Sequence, residues 1–299
     1  MMIFRFSLRL TKLFNGMCLV KYLSLILPFF SREKYKLFIK LGYCIINNNV
    51  STKNNYKLFM DYYLVFFYFK RTIYKQVELD LIYKDNDFFI INKNSGIVMY
   101  PSCKNFNNTI SLSLLNINND LITLPRFGIV HRLDKYTTGI FVVANNFLSF
   151  RCFLKQFKNR VFKKNYEAIV FGKLFNGIKI DTHLSKIRKK KIKMVAGNIG
   201  KRSITNMYVI NSFDRFSHIG LDLITGRTHQ IRAHMEYINN CIIGDKIYYD
   251  NNSKNCDFNR QALHSKKSVF MHPKYKIEII CNIKLPFDIR SFIDKLKFI

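Results

Sequence analysis

From Leu81 onward, short apolar runs alternate with polar turns, and no feature of the chain limits its fold more. Leu81 to Tyr83 and Phe88 to Asn92 flank the polar turn Lys84-Asp85-Asn86-Asp87, a hairpin pattern. Ile140 to Ala144 is continuously apolar and predicts a buried strand, because a strand covered on both faces has no polar side. Phe147, Phe150, Leu154 and Phe157 then recur at helical spacing. Tyr166 to Phe171 and Ile219 to Leu223 predict further strands. Strands and helices interleave, so the expected class is α+β. The 299 residues, 48% hydrophobic, can build a real core, which excludes a disordered tail.

The first 80 residues read differently. Leu19, Tyr22, Leu23 and Ile26 predict one helix, and Ser31 opens a second carrying Tyr35, Phe38 and Ile39 on one face, closed by Gly42. Arg32, Lys36 and Lys40 are spaced four apart on that second helix and align along its polar side. The row suits a phosphate backbone, and it equally suits a solvated helix face. Tyr43 to Ile46, the turn at Asn47 and Asn48, and Tyr62 to Phe69 predict a small sheet. Residues 1–15 are expected to be an extension, 16–70 a small α/β domain, 71–80 a linker and 81–299 a larger domain.

The formal charge is +30, from 49 Lys and Arg against 19 Asp and Glu. Such an excess repels itself unless a polyanion such as RNA shares the surface, or it reflects an AT-rich genome that inflates Lys everywhere. Seven scattered cysteines without a C-x-x-C spacing fit a reducing compartment and no structural zinc. Arg5, Arg9 and Lys12 precede an apolar run, but Lys21 and Pro28 interrupt it and no small-residue cleavage site follows. The run is too short for a bilayer, so the expectation is a cytoplasmic, monomeric protein without a membrane partner.

Three segments carry chemistry. In Gly128 to Gly139, a polar loop before the buried strand, Asp134 has Arg126, Arg132 and Lys135 close in sequence. Neighbouring cations favour an ionised carboxylate, which can act as a nucleophile, although Asp134 can also be a turn former paired with Lys135. In Leu223 to Met235, a turn at Gly226 leads to a helix expected to be capped by Thr228, burying Ile231, Met235 and Ile238, with Arg232 near its start. Arg232 points toward a neighbouring site or pairs with Glu236 four residues on. His229 and His234 are not a metal pair, because five residues separate them by about 140° on a helix. In Lys164 to Ala168, Tyr166 opens a strand, where a tyrosine stacks on a base or simply packs.

Together these segments resemble the RluA-type family of pseudouridine synthases. The hallmark loop is His131-Arg132-Leu133-Asp134 followed by Thr137-Thr138-Gly139; Lys164 and Tyr166 match the Lys-x-Tyr, and Thr225 to Arg232 the Thr-Gly-Arg-x-His-Gln-Ile-Arg. Gly244-Asp245 with Tyr248 or Tyr249, Ala262-Leu263-His264 and His272-Pro273 match later landmarks in order. Pro125-Arg126, Arg260-Gln261 and the N-terminal module are most similar to the RluD branch. The family's Asn-Lys-Pro-x-Gly reads Asn92-Lys93-Asn94-Ser95-Gly96 here, and its Val-His-Pro reads Met99-Tyr100-Pro101. Residues 16–70 resemble an S4 RNA-binding domain, with Cys18-Leu19-Val20-Lys21 in place of the usual Arg-Leu-Asp-Lys.

The resemblance implies a catalytic domain on a mixed, largely antiparallel sheet with flanking helices, and formation of pseudouridine in RNA without cofactor or metal. It implies Asp134 as nucleophile, Arg232 as its ion-pair partner and Tyr166 against the base. His131, Arg132, Ile231, Arg227 and Lys164 are expected to bind substrate. Arg32, Lys36, Lys40 and the basic run containing Lys189, Lys190 and Lys191 are expected to meet RNA. The branch points to large-subunit ribosomal RNA, with transfer RNA as the other substrate. The rival readings are a non-catalytic RNA-binding or ribosome-assembly protein derived from a synthase, and a glycosylase or nuclease, for which no metal cluster or carboxylate pair is visible.

Overall fold

A computed structural model of the chain describes residues 2–27, 30, 32–70, 77–101, 108–186, 193–249 and 258–297. Ser31, residues 71–76 of the expected linker and Lys189, Lys190 and Lys191 lie outside the described residues. The chain divides into two compact units. Residues 1–79, 97–130 and 143–150 form one, and residues 80–96, 131–142 and 151–299 form the other. This division is not the linear one expected from the sequence, because 97–130 and 143–150 cluster with the N-terminal residues.

In the first unit, strand β1 (Met2–Arg9) precedes helices α1 (Leu19–Ile26) and α2 (Arg32–Lys40) and strands β2 (Cys44–Ile46), β3 (Asn49–Val50) and β4 (Tyr63–Lys70). The sheet order is β1-β4-β2-β3, all antiparallel. The N-terminal extension is therefore no separate piece, since β1 pairs with β4 along its full length. The predicted helix faces hold: α1 buries Leu19, Tyr22, Leu23 and Ile26, and α2 buries Tyr35, Phe38 and Ile39. Tyr35 and Phe38 meet Phe66 of β4 edge-on or tilted, at 5.5 and 6.0 Å between ring centres. Arg32 and Lys40 stay exposed, and Lys36 donates to Glu33 at 2.8 Å.

The second unit opens with the predicted hairpin, β5 (Asp80–Lys84) and β6 (Phe88–Lys93), which pair antiparallel. Helix α3 (Ile110–Ile117) belongs to the first unit, capped by Thr109. Then follow β7 (Thr138–Ala144), α4 (Phe147–Lys158), β8 (Lys163–Phe171), β9 (Ile178–Lys186), β10 (Met194–Gly197), β11 (Lys201–Ser212), β12 (Phe216–Leu223), α5 (Gln230–Tyr237), β13 (Leu263–Met271), β14 (Glu278–Asn282) and α6 (Phe287–Lys297). The strands order as β10-β9-β11-β12-β8-β13-β7-β6-β5, with β14 beside β13. The ladders of β8 to β14 among themselves are antiparallel, while β13 meets β7 in parallel at His264 and Ser265. This is the expected α+β class on a mixed, largely antiparallel sheet.

Helix α4 departs from expectation in its phase. Phe150 is buried as expected, but Leu154 is exposed and Phe153 and Gln156 are buried instead. Phe153 packs with Phe88 of β6 and Phe270 of β13 at 5.8 and 5.5 Å, and Phe162 stacks on Phe270 at 5.0 Å. This aromatic block, well ordered by edge and face contacts, sits beneath the polar loop at 131–138. No helix among the described residues is long and apolar enough to cross a membrane.

The loop itself is clamped by elements far apart in sequence. Lys93, 1% exposed at the end of β6, donates from Nζ to the carbonyls of Asn94, Lys135 and Thr137, each at 2.9 Å. Three acceptors match the three N–H bonds of an ammonium, although burial pulls its pKa down to about 7. Arg260 donates to the carbonyl of Tyr136 at 3.2 Å and Gln261 to the hydroxyl of Thr137 at 2.7 Å. Thr138 shares a 2.8 Å hydrogen bond with His264. Gly139 follows because β7 and β13 approach too closely for a side chain: a Cβ there would lie 2.3 Å from the carbonyl oxygen of Ser265, and φ is +111°.

Two stability outcomes follow from this clamp. Gly139→Ala is expected to cost about 3 kcal/mol or more in urea unfolding, from the clash and the left-handed backbone together. Lys93→Met leaves three loop carbonyls without their donor and is expected to cost about 2–4 kcal/mol. An unfolding midpoint equal to the parent's in either variant would contradict the clamp.

Candidate active site

His131 begins the loop by turning inward. Its Nε2 accepts the backbone N–H of Val142 at 2.9 Å, and its ring lies 5.4 and 5.6 Å from those of Phe157 and Phe162. Burial, helped by Lys164, pulls its pKa down to about 3, so the ring is neutral. A ring committed to Val142 and two phenylalanines fixes where the loop leaves the sheet. Arg132, next along, is exposed.

The second motif is organised by Gln230. Its Oε1 accepts from the Thr225 hydroxyl at 2.8 Å and the Arg227 N–H at 3.0 Å, and its Nε2 donates to the Ile204 carbonyl and the Thr205 hydroxyl, each at 3.0 Å. One amide therefore ties the Thr225–Arg227 turn to β11 and sets the start of α5. Thr228 does not cap this helix. His229 occupies the N-cap position with φ 53°, and makes no capping hydrogen bond. Ile231 is buried, and the Arg227 side chain is exposed.

One turn into α5, Arg232 reaches two carboxylates. Nε and Nη2 grip Asp245 at 2.6 and 2.8 Å, and Nη1 donates to Asp134 Oδ2 at 3.0 Å. Asp245 is 1% exposed and also accepts the backbone N–H groups of Ile247 and Tyr248 at 3.0 and 3.3 Å. The bidentate pair fixes the plane of the guanidinium, and its pKa is raised against the pull of burial by Asp245 and Asp134. Its other face stacks over Tyr248, 4.9 Å from the ring centre. The alternative pairing of Arg232 with Glu236 is excluded, because Glu236 binds Lys193.

Asp134 carries a second neighbour on the same oxygen, His229 Nε2 at 3.7 Å from Oδ2. Among the described residues no hydrogen bond reaches Oδ1. Tyr166 and Lys164 point inward from β8, two residues apart and hence on one face. Burial, and then the charge of Asp134, pushes the Tyr166 phenol well above its ordinary pKa, so it stays protonated near neutrality. Lys164 is buried, its pKa pulled down to about 8, with Nζ 3.0 Å from the position of a Cβ on Gly226.

The structure thus brings Asp134, Arg232 and His229 into contact and puts Tyr166 and Lys93 within the field of Asp134. Sequence reasoning assigned no role to Asp245, Lys93, His229 or Tyr248. Asp245 and Tyr248 carried a signal as motif positions, but a buried acid and its arginine, 13 residues apart, cannot be paired from spacing alone. Among the described residues, the one cluster close enough for metal ligation is Asp85, Asp87 and His272. Asp85 there already accepts the backbone N–H groups of Asp87 and Phe88, each at 2.7 Å, which is turn chemistry.

Residues 87–237 match the RNA pseudouridylate synthase family. The ribosomal large subunit pseudouridine synthase D of Buchnera aphidicola subsp. Baizongia pistaciae is 37% identical over 230 residues, 73% of each chain. The protein of the same name from Blochmanniella floridana is 33% identical over 306 residues, 95% of each chain. Among solved structures, human RNA pseudouridylate synthase domain containing 4 superposes with a TM-score of 0.58 at 21% identity, over 73% of this chain and 92% of that one. Human RNA pseudouridylate synthase domain containing 1 gives 0.56 at 21%, over 74% and 95%. The sheet, the Asp134 loop facing Arg232 and these relatives agree: the chain belongs to the RluA-type family of RNA pseudouridine synthases.

Proposed function

We propose that the chain converts uridines of large-subunit ribosomal RNA to pseudouridine, with Asp134 as the nucleophile. The observation that carries this reading is the arrangement of donors on Asp134: Arg232 holds Oδ2 from a guanidinium fixed by Asp245, while Oδ1 is left with its lone pairs for reaction. The substrate follows from relatives whose names specify the large ribosomal subunit, two of them aligned here over most of their length.

In the reaction the bond from ribose C1′ to uracil N1 breaks, the base turns, and C5 bonds to C1′. The C5 proton is lost and N1 gains one, so there is no net redox change and no cofactor is needed. Asp134 attacks C1′, or assists elimination to a glycal; both routes need its carboxylate free and oriented. Tyr166 enters as a neutral phenol, which favours stacking on the base over service as a phenolate base. Arg132, exposed beside Asp134, fills the space of the flipped base or holds a neighbouring phosphate. The basic run that contains Lys189, Lys190 and Lys191 falls in sequence between β9 and β10, and its charge suits an RNA backbone. Residues 16–70 serve as a second, S4-like contact that raises the effective concentration of a distant target loop. The protein acts as a cytoplasmic monomer.

Asp134→Asn is expected to keep the fold and RNA binding and to lose tritium release from C5-labelled uridine in RNA, by at least about 1000-fold. Turnover near the parent rate would overturn the assignment. Replacing Arg32, Lys36 and Lys40 together by Ala is expected to weaken RNA binding across sequences and to flatten the log–log salt slope by about 0.7–0.9 per lost phosphate contact. An unchanged slope would make that row a solvated face. Mapping pseudouridine by carbodiimide-dependent reverse-transcription stops, in cells with and without the gene, tests the substrate. Sites that vanish from ribosomal RNA support the reading; sites that vanish only from transfer RNA reject the substrate and leave the Asp134 chemistry intact.

A further inference from the structure

His229 is held in a conformation that its role in the helix does not explain. As the residue preceding α5 it has φ 53° and ψ 21°, a left-handed conformation uncommon for any residue but glycine. Serine, threonine, asparagine or aspartate would repay that position by capping the helix, yet the imidazole makes no capping hydrogen bond. The ring instead enters the site, with its side chain only 11% exposed. Backbone strain that buys no local hydrogen bond points to a use for the side chain elsewhere.

The ring's two nitrogens have different partners. Nδ1 lies 3.1 Å from the hydroxyl of Tyr248, and Nε2 lies 3.7 Å from Asp134 Oδ2. The same hydroxyl accepts the backbone N–H of Met194 at 2.9 Å. Burial pushes the phenol well above its ordinary pKa, so it keeps its proton. A hydroxyl that already accepts has one hydrogen to give, and the acceptor in reach is His229 Nδ1. That bond leaves the imidazole proton on Nε2, facing Asp134. Burial first, and then Arg232 and Arg132, oppose protonation of the ring, while Asp134 and Asp245 favour it; the net shift of its pKa is downward, toward the neutral form.

We propose that His229 is a positioning residue for Asp134: its Nε2–H donates to Oδ2 alongside Arg232, so that both donors hold one oxygen and Oδ1 alone is presented to ribose C1′. Tyr248, anchored by Met194, fixes the tautomer that makes this donation available. The inference rests on Asp134 being the nucleophile. The gap from 3.7 Å to hydrogen-bond length needs about 0.7 Å of closure, as expected when substrate completes a site whose contacts are long without it. Tyr248 is tied to both donors, since its ring also lies under the Arg232 guanidinium.

The test has two arms on the full chain. In the first, long-range proton–nitrogen correlation of histidine-labelled protein, with His229 assigned by its loss in His229→Asn, reads the tautomer directly. Protonated Nε2 with an accepting Nδ1 is expected, and Tyr248→Phe is expected to abolish that preference. A proton on Nδ1 in the parent would overturn the relay, whatever the protein's substrate. In the second, single-turnover tritium release is followed on a C5-tritiated large-subunit ribosomal RNA transcript. His229→Asn tolerates the left-handed backbone but cannot reach Oδ2, and is expected to slow release by about 30-fold with RNA affinity within about twofold of the parent. His229→Gln restores a donor near the Nε2 position and is expected to recover most of the rate. Tyr248→Phe is expected to slow release by roughly fivefold and to add nothing in the His229→Asn background. A His229→Asn rate equal to the parent's, a His229→Gln variant as slow as His229→Asn, or additive losses with Tyr248→Phe would each overturn the proposal. A parent chain that releases no tritium would count against the function, and the tautomer would then decide the relay alone.

Discussion

A single guanidinium shared between two carboxylates is the interaction on which the site depends. Asp245 is buried and bonded by Arg232 through two parallel N–H groups, which fixes the arginine in place and orientation. The third nitrogen then has only one direction left, toward Asp134. Either carboxylate alone would be a poor partner. Asp245 without Arg232 would be an unpaired buried charge, costing about 3–5 kcal/mol, and Arg232 without Asp245 would be free to follow solvent or substrate. The arrangement converts a flexible cation into a rigid fixture, and the more exposed carboxylate inherits that rigidity.

The other half of the geometry comes from the loop that carries Asp134. Hydrogen bonds from β6, from the segment before β13 and from β13 itself converge on residues 135–138, while His131 and the phenylalanines under it fix the entry. The carbonyls of Lys135, Tyr136 and Thr137 are thereby committed. A catalytic side chain gains from such treatment, because orientation settled before substrate arrives is not charged against the reaction. Gly139, Gln230 and Lys93 shape this geometry through contacts inside the fold.

Much of this was legible in the sequence, for identifiable reasons. The hairpin at 84–87, strands β7, β8 and β12 and the faces of α1 and α2 follow from periodicity, which is a local property. The phase of α4 was not, because its buried face is chosen by Phe88 and Phe270, distant in sequence. Strands β9 to β11 read poorly since their side chains alternate around exposed polar positions with few continuous apolar runs. In the site, Asp134 and Arg232 were visible as motif residues, while the inward turn of His131, the left-handed His229 and the clamp at Lys93 are set by tertiary packing. The Thr228 cap failed for the same reason: Gln230 organises the turn from within, so the helix starts without a hydroxyl at its end.

Strand β13 lies between β8 and β7 in the middle of the sheet, although the whole of β9 to α5 separates it from them in sequence. The residues that hold the Asp134 loop from that side, Arg260, Gln261 and His264, arrive with it. Contacts of such long sequence separation close slowly compared with the β8–β12 ladder, so folding orders this loop late. Whatever loosens β13 from the sheet therefore loosens the Asp134 loop with it.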